Sequence, residues 1–356
     1  MKTGKISGNI LKRSVLGQIR NRREEVVNDA GTGQDCAIFG QLGTGIPVVC
    51  MQEAPVRILM ERDAVNLAFP VFAIGHLIQK CANNLAAAGA SPQAVLITLL
   101  LPSTEEEPLL RALMAEAEET CQELSMQIAG GQARVTEAVC FPVAVVTGYG
   151  VREPAPDIQT MSTRGSVPGV LSGGGIVVSK WIGLEGTALL AEHSRERLLS
   201  RYPRYLLEEA AGFHRYLSVL PEARIALSRG VYTMHDASEG GIFGTLWELG
   251  ERLGVGLSVD LRKLPLRQET VEVCECCNVN PYQLLSGGSL VMVAEDASGL
   301  AAALWEKGIP AAVVGKVTQG NDRILLNREE IRYLDRPGQD EVYRYFEDVR
   351  EKGRFV

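Results

Sequence analysis

The chain lacks any apolar run long enough to cross a bilayer. Its longest, residues 94–102, contains Thr98 and falls far short of the roughly 18 residues a spanning helix needs, so no membrane span is expected. A basic surplus is missing too: 36 basic and 43 acidic side chains leave a formal charge of -7. The one basic run, residues 20–23, is followed at once by Glu24 and Glu25, and no nucleic-acid partner is expected. The opening Met1-Lys2-Thr3-Gly4-Lys5 leads into a polar amphipathic segment instead of an apolar stretch with a cleavage site, which predicts a cytoplasmic protein. Short-period repeats and low-complexity segments are absent, excluding solenoids and propellers. The eight cysteines, at 36, 50, 81, 121, 140, 274, 276 and 277, have no regular spacing, so reduced thiols are the expectation. Cys274 and Cys277 alone have C-x-x-C spacing; without a second pair or a His cluster they read first as structural thiols, with a labile metal or redox site as the alternative.

What is present is the composition of a folded globular protein, 46% hydrophobic and 22% charged, in 356 residues that suit two domains. The first half alternates strand and helix signals. Residues 47–51 read as a buried strand and 71–88 as a helix, apolar at 71, 74, 77, 78, 81, 82 and 85 and stopped by Gly89 to Pro92. Residues 93–101 predict a strand, 104–125 an acidic-capped helix, 126–129 a strand start leading into Gly130-Gly131, and 140–149 another strand. Pro154, Pro156, Pro168 and Ser172-Gly173-Gly174-Gly175 mark a break, so domains are expected at 1–154 and 170–335 with a charged, peripheral tail at 336–356. The second half adds strands near 176–179, 256–259 and 289–294 and helices near 184–193 and 204–218.

The most chemically dense stretch is His235-Asp236-Ala237-Ser238-Glu239-Gly240-Gly241, placed between a buried strand at 231–234 and a helical pattern from Ile242. Asp236 and Ser238 are N-cap candidates, and the free N–H groups of the helix start suit an anion. Gly240 and Gly241 would let a ligand or another backbone approach. His235 is the best general acid or base by type, with a hydrogen-bonded core histidine as the bland reading. Glu239 follows Asp236 by three residues, so an early helical turn would turn both carboxylates into one cleft.

Four ordered motifs carry a family resemblance: Gly33-Gln34-Asp35-Cys36-Ala37-Ile38, the helix end Asn83-Asn84 through Pro92, Gly130-Gly131, and residues 235–241. The chain resembles the aminoimidazole ribonucleotide (AIR) synthetase-like superfamily over roughly residues 5–320. It looks closest to the hydrogenase maturation factor branch, through Gly4-Lys5, Leu99 to Pro102, Gly183 to Ala188 and Leu264-Pro265-Leu266. The resemblance implies an α/β and α+β protein of two domains. The N-terminal one is dimeric through a shared barrel-like sheet, and the C-terminal one is α+β. It also implies ATP, with Mg2+ held by carboxylates, and phosphoryl transfer to a small-molecule or peptidyl substrate, chemistry that depends mainly on charge neutralisation and alignment. Carried onto this sequence, the metal positions are Asp35 and Glu53. The nucleotide positions are Asp35, Asn84, Gly130, Gly131, Gln132, Arg134, Gly240 and Gly241, and the catalytic group is His235, Asp236 and Glu239.

Several positions depart from the family pattern. Glu53 stands where an Asp-containing segment is usual and is one methylene longer; Asn83-Asn84 replaces Asn-Asp and loses a charge. Arg134 reverses the charge expected after Gly130-Gly131. Hard cations favour anionic oxygens, whereas a guanidinium contacts phosphate directly. Altered nucleotide or anion binding, retained ATP-Mg chemistry and a structural arginine all stay open, and with them a non-catalytic member that binds a nucleotide, anion or protein partner. The carbamoyl-dehydrating factor of the branch uses a cysteine in its tail. No cysteine follows Cys277 here, so that specific reaction is not expected.

Overall fold

A computed structural model describes residues 4–5, 10–28, 38–39, 45–57, 69–153 and 173–351. Contacts divide the chain into two units, Met1–Ala64 with Val71–Pro154, and Val65–Pro70 with Ala155–Val356.

In chain order the first unit holds β1 (Gly4–Lys5), a π-helical turn at Leu11–Leu16, β2 (Val26–Asn28), β3 (Ile38–Phe39), β4 (Ile46–Arg57), β5 (Phe72–Ala73), α1 (Ile74–Ala87), β6 (Ser91–Leu101), α2 (Glu107–Glu123), β7 (Gln127–Val135) and β8 (Val143–Arg152). Six strands form one sheet in the order β1-β7-β6-β8-β4-β5. β8 runs antiparallel to β4 and β6, while β6 and β7 are parallel and joined through α2. α1 packs on one face. Its Ile74, Leu77, Ile78, Cys81 and Leu85 are buried at helical spacing, and Gly148 of β8 admits it, since a Cβ there would lie 2.9 Å from that of Cys81 and 3.0 Å from Cys50 Sγ. Alternation turns the other residues of each strand to the opposite face, where Val49 and Met51 of β4 are 63% and 58% exposed.

The second unit holds β9 (Gly175–Ser179), α3 (Leu184–His193), α4 (Arg195–Leu199), α5 (Arg204–Ala211), α6 (Leu220–Ser228), β10 (Thr233–Asp236), α7 (Gly241–Leu253), β11 (Gly256–Asp260), α8 (Gln268–Cys277), β12 (Leu290–Ala294), α9 (Ala297–Glu306), β13 (Ala311–Thr318), β14 (Arg323–Asn327), β15 (Glu330–Tyr333) and α10 (Glu341–Glu351). Seven strands lie in the order β10-β12-β9-β13-β11-β14-β15, antiparallel except for β11 with β14. Every residue of β12 is buried. One core joins Ile242, Leu246, Leu249 and Leu253 of α7 to Val291 and Val293 of β12, Ile176 and Val178 of β9 and Leu257 and Val259 of β11. No helix among the described residues is long and apolar enough to cross a membrane.

The tail corrects the expectation of a peripheral segment. Val342, Tyr345 and Phe346 are 1%, 7% and 3% exposed, an apolar stripe at helical spacing that docks α10 on its unit. The tail's charged composition hid that stripe.

Candidate functional site

The sequence sets the junction between β10 and α7 through its two glycines. Gly240 and Gly241 both adopt the left-handed conformation, at φ 77° and 64°. The helix therefore starts at Gly241, with Gly240 as its N-cap. A Cβ on Gly241 would lie 2.6 Å from the carbonyl oxygen of Tyr282 and 2.8 Å from the backbone nitrogen of Leu284, so the turn is pressed against the 282–284 segment. This corrects the sequence reading of the helix start. Asp236 closes β10 and Ser238 lies in the connection, so neither is an N-cap. Ser238 serves through its carbonyl, which accepts the N–H groups of Gly241 and Ser286. Asp236 and Glu239 likewise do not share a helical turn.

His235, one residue before the strand ends, is held by α7. Its Nε2 lies 3.0 Å from Glu248 Oε2, and its side chain keeps 25% of its surface exposed. Four residues on, Arg252 donates to Thr233 Oγ1 at 2.7 Å and to the carbonyl of Met234 at 2.9 Å, fastening the same helix to the same strand. Burial pulls the Arg252 value below that of an ordinary guanidinium, against the opposing charges of Asp236 and Glu248. An imidazole with a carboxylate partner and a free edge is suited to carrying a proton.

The tail reaches this junction. Asp340 Oδ2 accepts the N–H of Gly240 at 2.7 Å, and Oδ1 accepts those of Val342 at 2.8 Å and Leu285 at 3.3 Å. The anion that suits the helix start is supplied by the chain itself. Tyr343 Oη donates to Glu239 Oε1 at 2.6 Å, drawing that carboxylate toward α10. Burial, followed by the bond to Glu239, pushes the Tyr343 hydroxyl upward. Beside the same turn lies a cavity of about 210 Å³, lined by Gly240, Phe243, Asn280, Gln283 and residues 332–339. The other glycine-rich candidates close on themselves: the Gly183 N–H donates to Ser286 Oγ at 2.8 Å, and the Gly287 N–H to Glu185 Oε2 at 3.1 Å.

In the first unit, register places Glu53 opposite Val145, Val145 opposite Thr98, and Thr98 opposite Gln132, one row across four strands. Arg134 and Gly130 belong to the same face as Gln132, by alternation along β7. Glu53 and Gln132 are thus three strand spacings apart, about 14 Å at roughly 4.8 Å per spacing. Asn84 is carried by α1, on the opposite face. Gly131 has φ 140°, and a Cβ there would fall 1.8 Å from the carbonyl oxygen of Ile97, so close pairing with β6 explains this glycine. Gln132 and Arg134 are exposed, and Arg134 makes no ion pair or side-chain hydrogen bond among the described residues. Asp35 lies outside the described residues.

Magnesium asks for several oxygen ligands. The open face offers one described carboxylate, Glu53, and no group of three His, Cys, Asp or Glu side chains suited to a metal occurs among the described residues. These residues alone do not fit a Mg2+ cage. Cys274 and Cys277 are buried on α8, and burial with the nearby Glu341 charge pushes the Cys274 thiol up to about 12, which opposes the thiolate a metal would need.

Comparison with known proteins follows the same two-unit division. Residues 53–151 match the model of the AIR synthase related protein N-terminal domain, and residues 172–326 that of its C-terminal domain. The chain belongs to the AIR synthase related family. Within the family it is similar to a putative hydrogenase expression/formation protein of Methanocaldococcus jannaschii, 26% identical over 284 residues, covering 78% of this chain and 80% of the relative. It is similar as well to the carbamoyl dehydratase HypE of Rhodobacter capsulatus, 27% identical over 240 residues and 66% of each chain. A crystal structure of the hydrogenase maturation protein HypE in complex with ATP shares the fold, with TM-score 0.72, 18% identity and coverage of 94% of this chain and 96% of that one. Within the family the chain is hydrogenase-maturation-factor-like.

Sequence reasoning missed Glu248, Asp340 and Tyr343. The signal for Glu248 was its place on the helix that follows His235. For Asp340 it was an acidic residue directly before an amphipathic stripe.

Proposed function

We propose that this chain uses ATP to transfer a phosphoryl group to a small-molecule or peptidyl substrate, in the manner of the hydrogenase maturation factors it resembles. The observation that carries the reading is Arg134. An exposed guanidinium with no ion pair or side-chain hydrogen bond among the described residues, two residues from Gln132 on the sheet face opposite α1, is suited to a phosphate, which it can grip through two parallel N–H donors. The ATP in the similar HypE structure supports the same ligand. Gln132 and Arg134 are the proposed phosphate contacts, with Gly130 on the same face keeping the strand free of bulk beside them and Gly131 serving the pairing with β6. Asp35 and Glu53 are proposed as acidic groups near the nucleotide, and Asn84, carried on the opposite face, is not proposed to join them. In the second unit His235, oriented by Glu248, is the proposed proton carrier. Asp236 and Glu239 are proposed to shape its field, and Gly240 and Gly241 to shape the adjoining turn.

The exposed Val49 and Met51 support a homodimer formed through the face of the first unit opposite α1, since two large apolar side chains on one face gain by leaving water. A second reading is a non-catalytic member that binds nucleotide directly through Arg134, favoured by a positive charge where a metal cage would need carboxylates. Calorimetry with ATP, with and without Mg2+, tests the first step. ATP binding that weakens at least tenfold in Arg134→Ala is expected, and no binding to the intact protein overturns both readings. Turnover that is lost in Asp35→Asn selects the enzyme; intact binding without turnover selects the second reading.

A further inference from the structure

β15 ends the sheet of the second unit, and its outer edge pairs with no other strand among the described residues. All four of its residues are exposed. The Leu334 N–H donates to the Arg323 carbonyl at 2.8 Å, and the register pairs Arg332 with Leu325 and Glu330 with Asn327. Backbone groups alternate in direction along an antiparallel ladder, so Glu330, Arg332 and Leu334 turn their N–H and C=O groups toward β14. Ile331 and Tyr333 turn theirs to the open edge.

Side chains alternate as well. Leu325, 5% exposed, lies in the core with α7, and Arg332 and Glu330 belong to the same face of the sheet, where Arg332 donates to Glu330 at 2.7 Å. Ile331 and Tyr333 take the other face, across from Leu326 and Ile324, and are 62% and 65% exposed. Two large apolar side chains on an unpaired strand gain by being covered, whereas charges on an edge ordinarily repel a second strand.

Here the charges repel in some registers and attract in one. Two copies of the edge meeting antiparallel about a two-fold axis centred on Arg332 set arginine against arginine, and centred on Glu330 they set glutamate against glutamate. Centred on Tyr333 they set Ile331 against Asp335. Centred on Ile331, Glu330 stands opposite the second copy's Arg332 and Arg332 opposite its Glu330, while the two isoleucines exchange backbone bonds and pack together. We propose that β15 is a self-recognition edge, at which two copies of this chain join their sheets across Ile331 in the register that the Glu330–Arg332 alternation selects. Four residues bury far less than the roughly 1,000 Å² of a stable interface, so the contact forms at high protein concentration and releases on dilution. It is separate from the face that carries Val49 and Met51, which belongs to the first unit.

Sedimentation of the full chain over a range of concentrations tests the edge. The weight-average mass should climb to about twice that of the species persisting on dilution, or beyond. Glu330→Arg and Arg332→Glu each make both cross-strand pairs repulsive and should weaken the association by about tenfold or more. The double variant Glu330→Arg/Arg332→Glu restores the alternation with its signs exchanged and should regain the association, as should an equimolar mixture of the two single variants. Both side chains are largely in solvent, 49% and 64% exposed, so the substitutions leave the fold intact. In the same samples the Ile331 amide should exchange more slowly at high concentration, its N–H then being bonded across the edge. A mass independent of concentration, single variants that associate as the wild type does, a double variant that stays dissociated, or an Ile331 amide unprotected in the associated state overturns the proposal. None of these readouts depends on ATP.

Discussion

His235 Nε2 stands 3.0 Å from Glu248 Oε2, joining the end of an edge strand to the second turn of the helix that follows it. The contact fixes the imidazole edge-on and orders its two nitrogens, since the one facing the carboxylate donates when it carries hydrogen. A core histidine satisfied only by its own strand would have no such partner.

For the proton-transfer role, His235→Ala should lower ATP-dependent turnover on the order of a hundredfold, and Glu248→Gln by about tenfold, with ATP affinity nearly unchanged. Steady-state kinetics with separate KM and kcat checks this. A rise in KM alone would mean that the pair binds substrate without moving a proton.

Arg134→Ala should weaken ATP binding by roughly 1.5–3 kcal/mol, the range for hydrogen bonds to charged groups. Lysine at this position should recover only part of the loss, because it lacks the planar fork. Titration calorimetry reads both variants, and undisturbed affinity in Arg134→Ala would remove the arginine from the nucleotide site.

Met51→Glu should shift the protein from dimer to monomer in light scattering after size exclusion, as a charge on an apolar association surface is costly to desolvate. Trp305→Glu, at a surface position that is 58% exposed in the other unit, serves as the control and should leave the mass unchanged.

Gly241→Ala combines a strained φ with a Cβ 2.6 Å from the Tyr282 carbonyl oxygen. A loss of roughly 2–4 kcal/mol is expected in denaturant unfolding, the sum of a left-handed non-glycine residue and a forced backbone shift. Gly254→Ala, also left-handed at φ 65° but with open space around it, should cost about 1 kcal/mol.

The contrast between these glycines also shows what could be read from the sequence. Residues 93–101 announced β6 because an apolar run bounded by Pro92 and Pro102 has few alternatives, and the structure extends it only to Ser91–Leu101. The start of α7 was misplaced because capping chemistry at Asp236 and Ser238 looked sufficient, and nothing local announces that two successive glycines are both left-handed. Arg134 was legible as a charge anomaly, but its separation from Asn84 by the thickness of a sheet required register and helix placement. Asp340 could be read as an acidic residue before an amphipathic stripe, but its partner could not, because Gly240 lies 100 residues earlier.

That separation bears on synthesis. Gly240 leaves the ribosome one hundred residues before the carboxylate that receives its N–H, so α7 must wait with an uncapped start while β11 to β15 are made. The first unit, whose sheet is complete by Arg152, can fold during that interval. The second unit closes its α7 start only when residues 340–346 have been made and have docked on it.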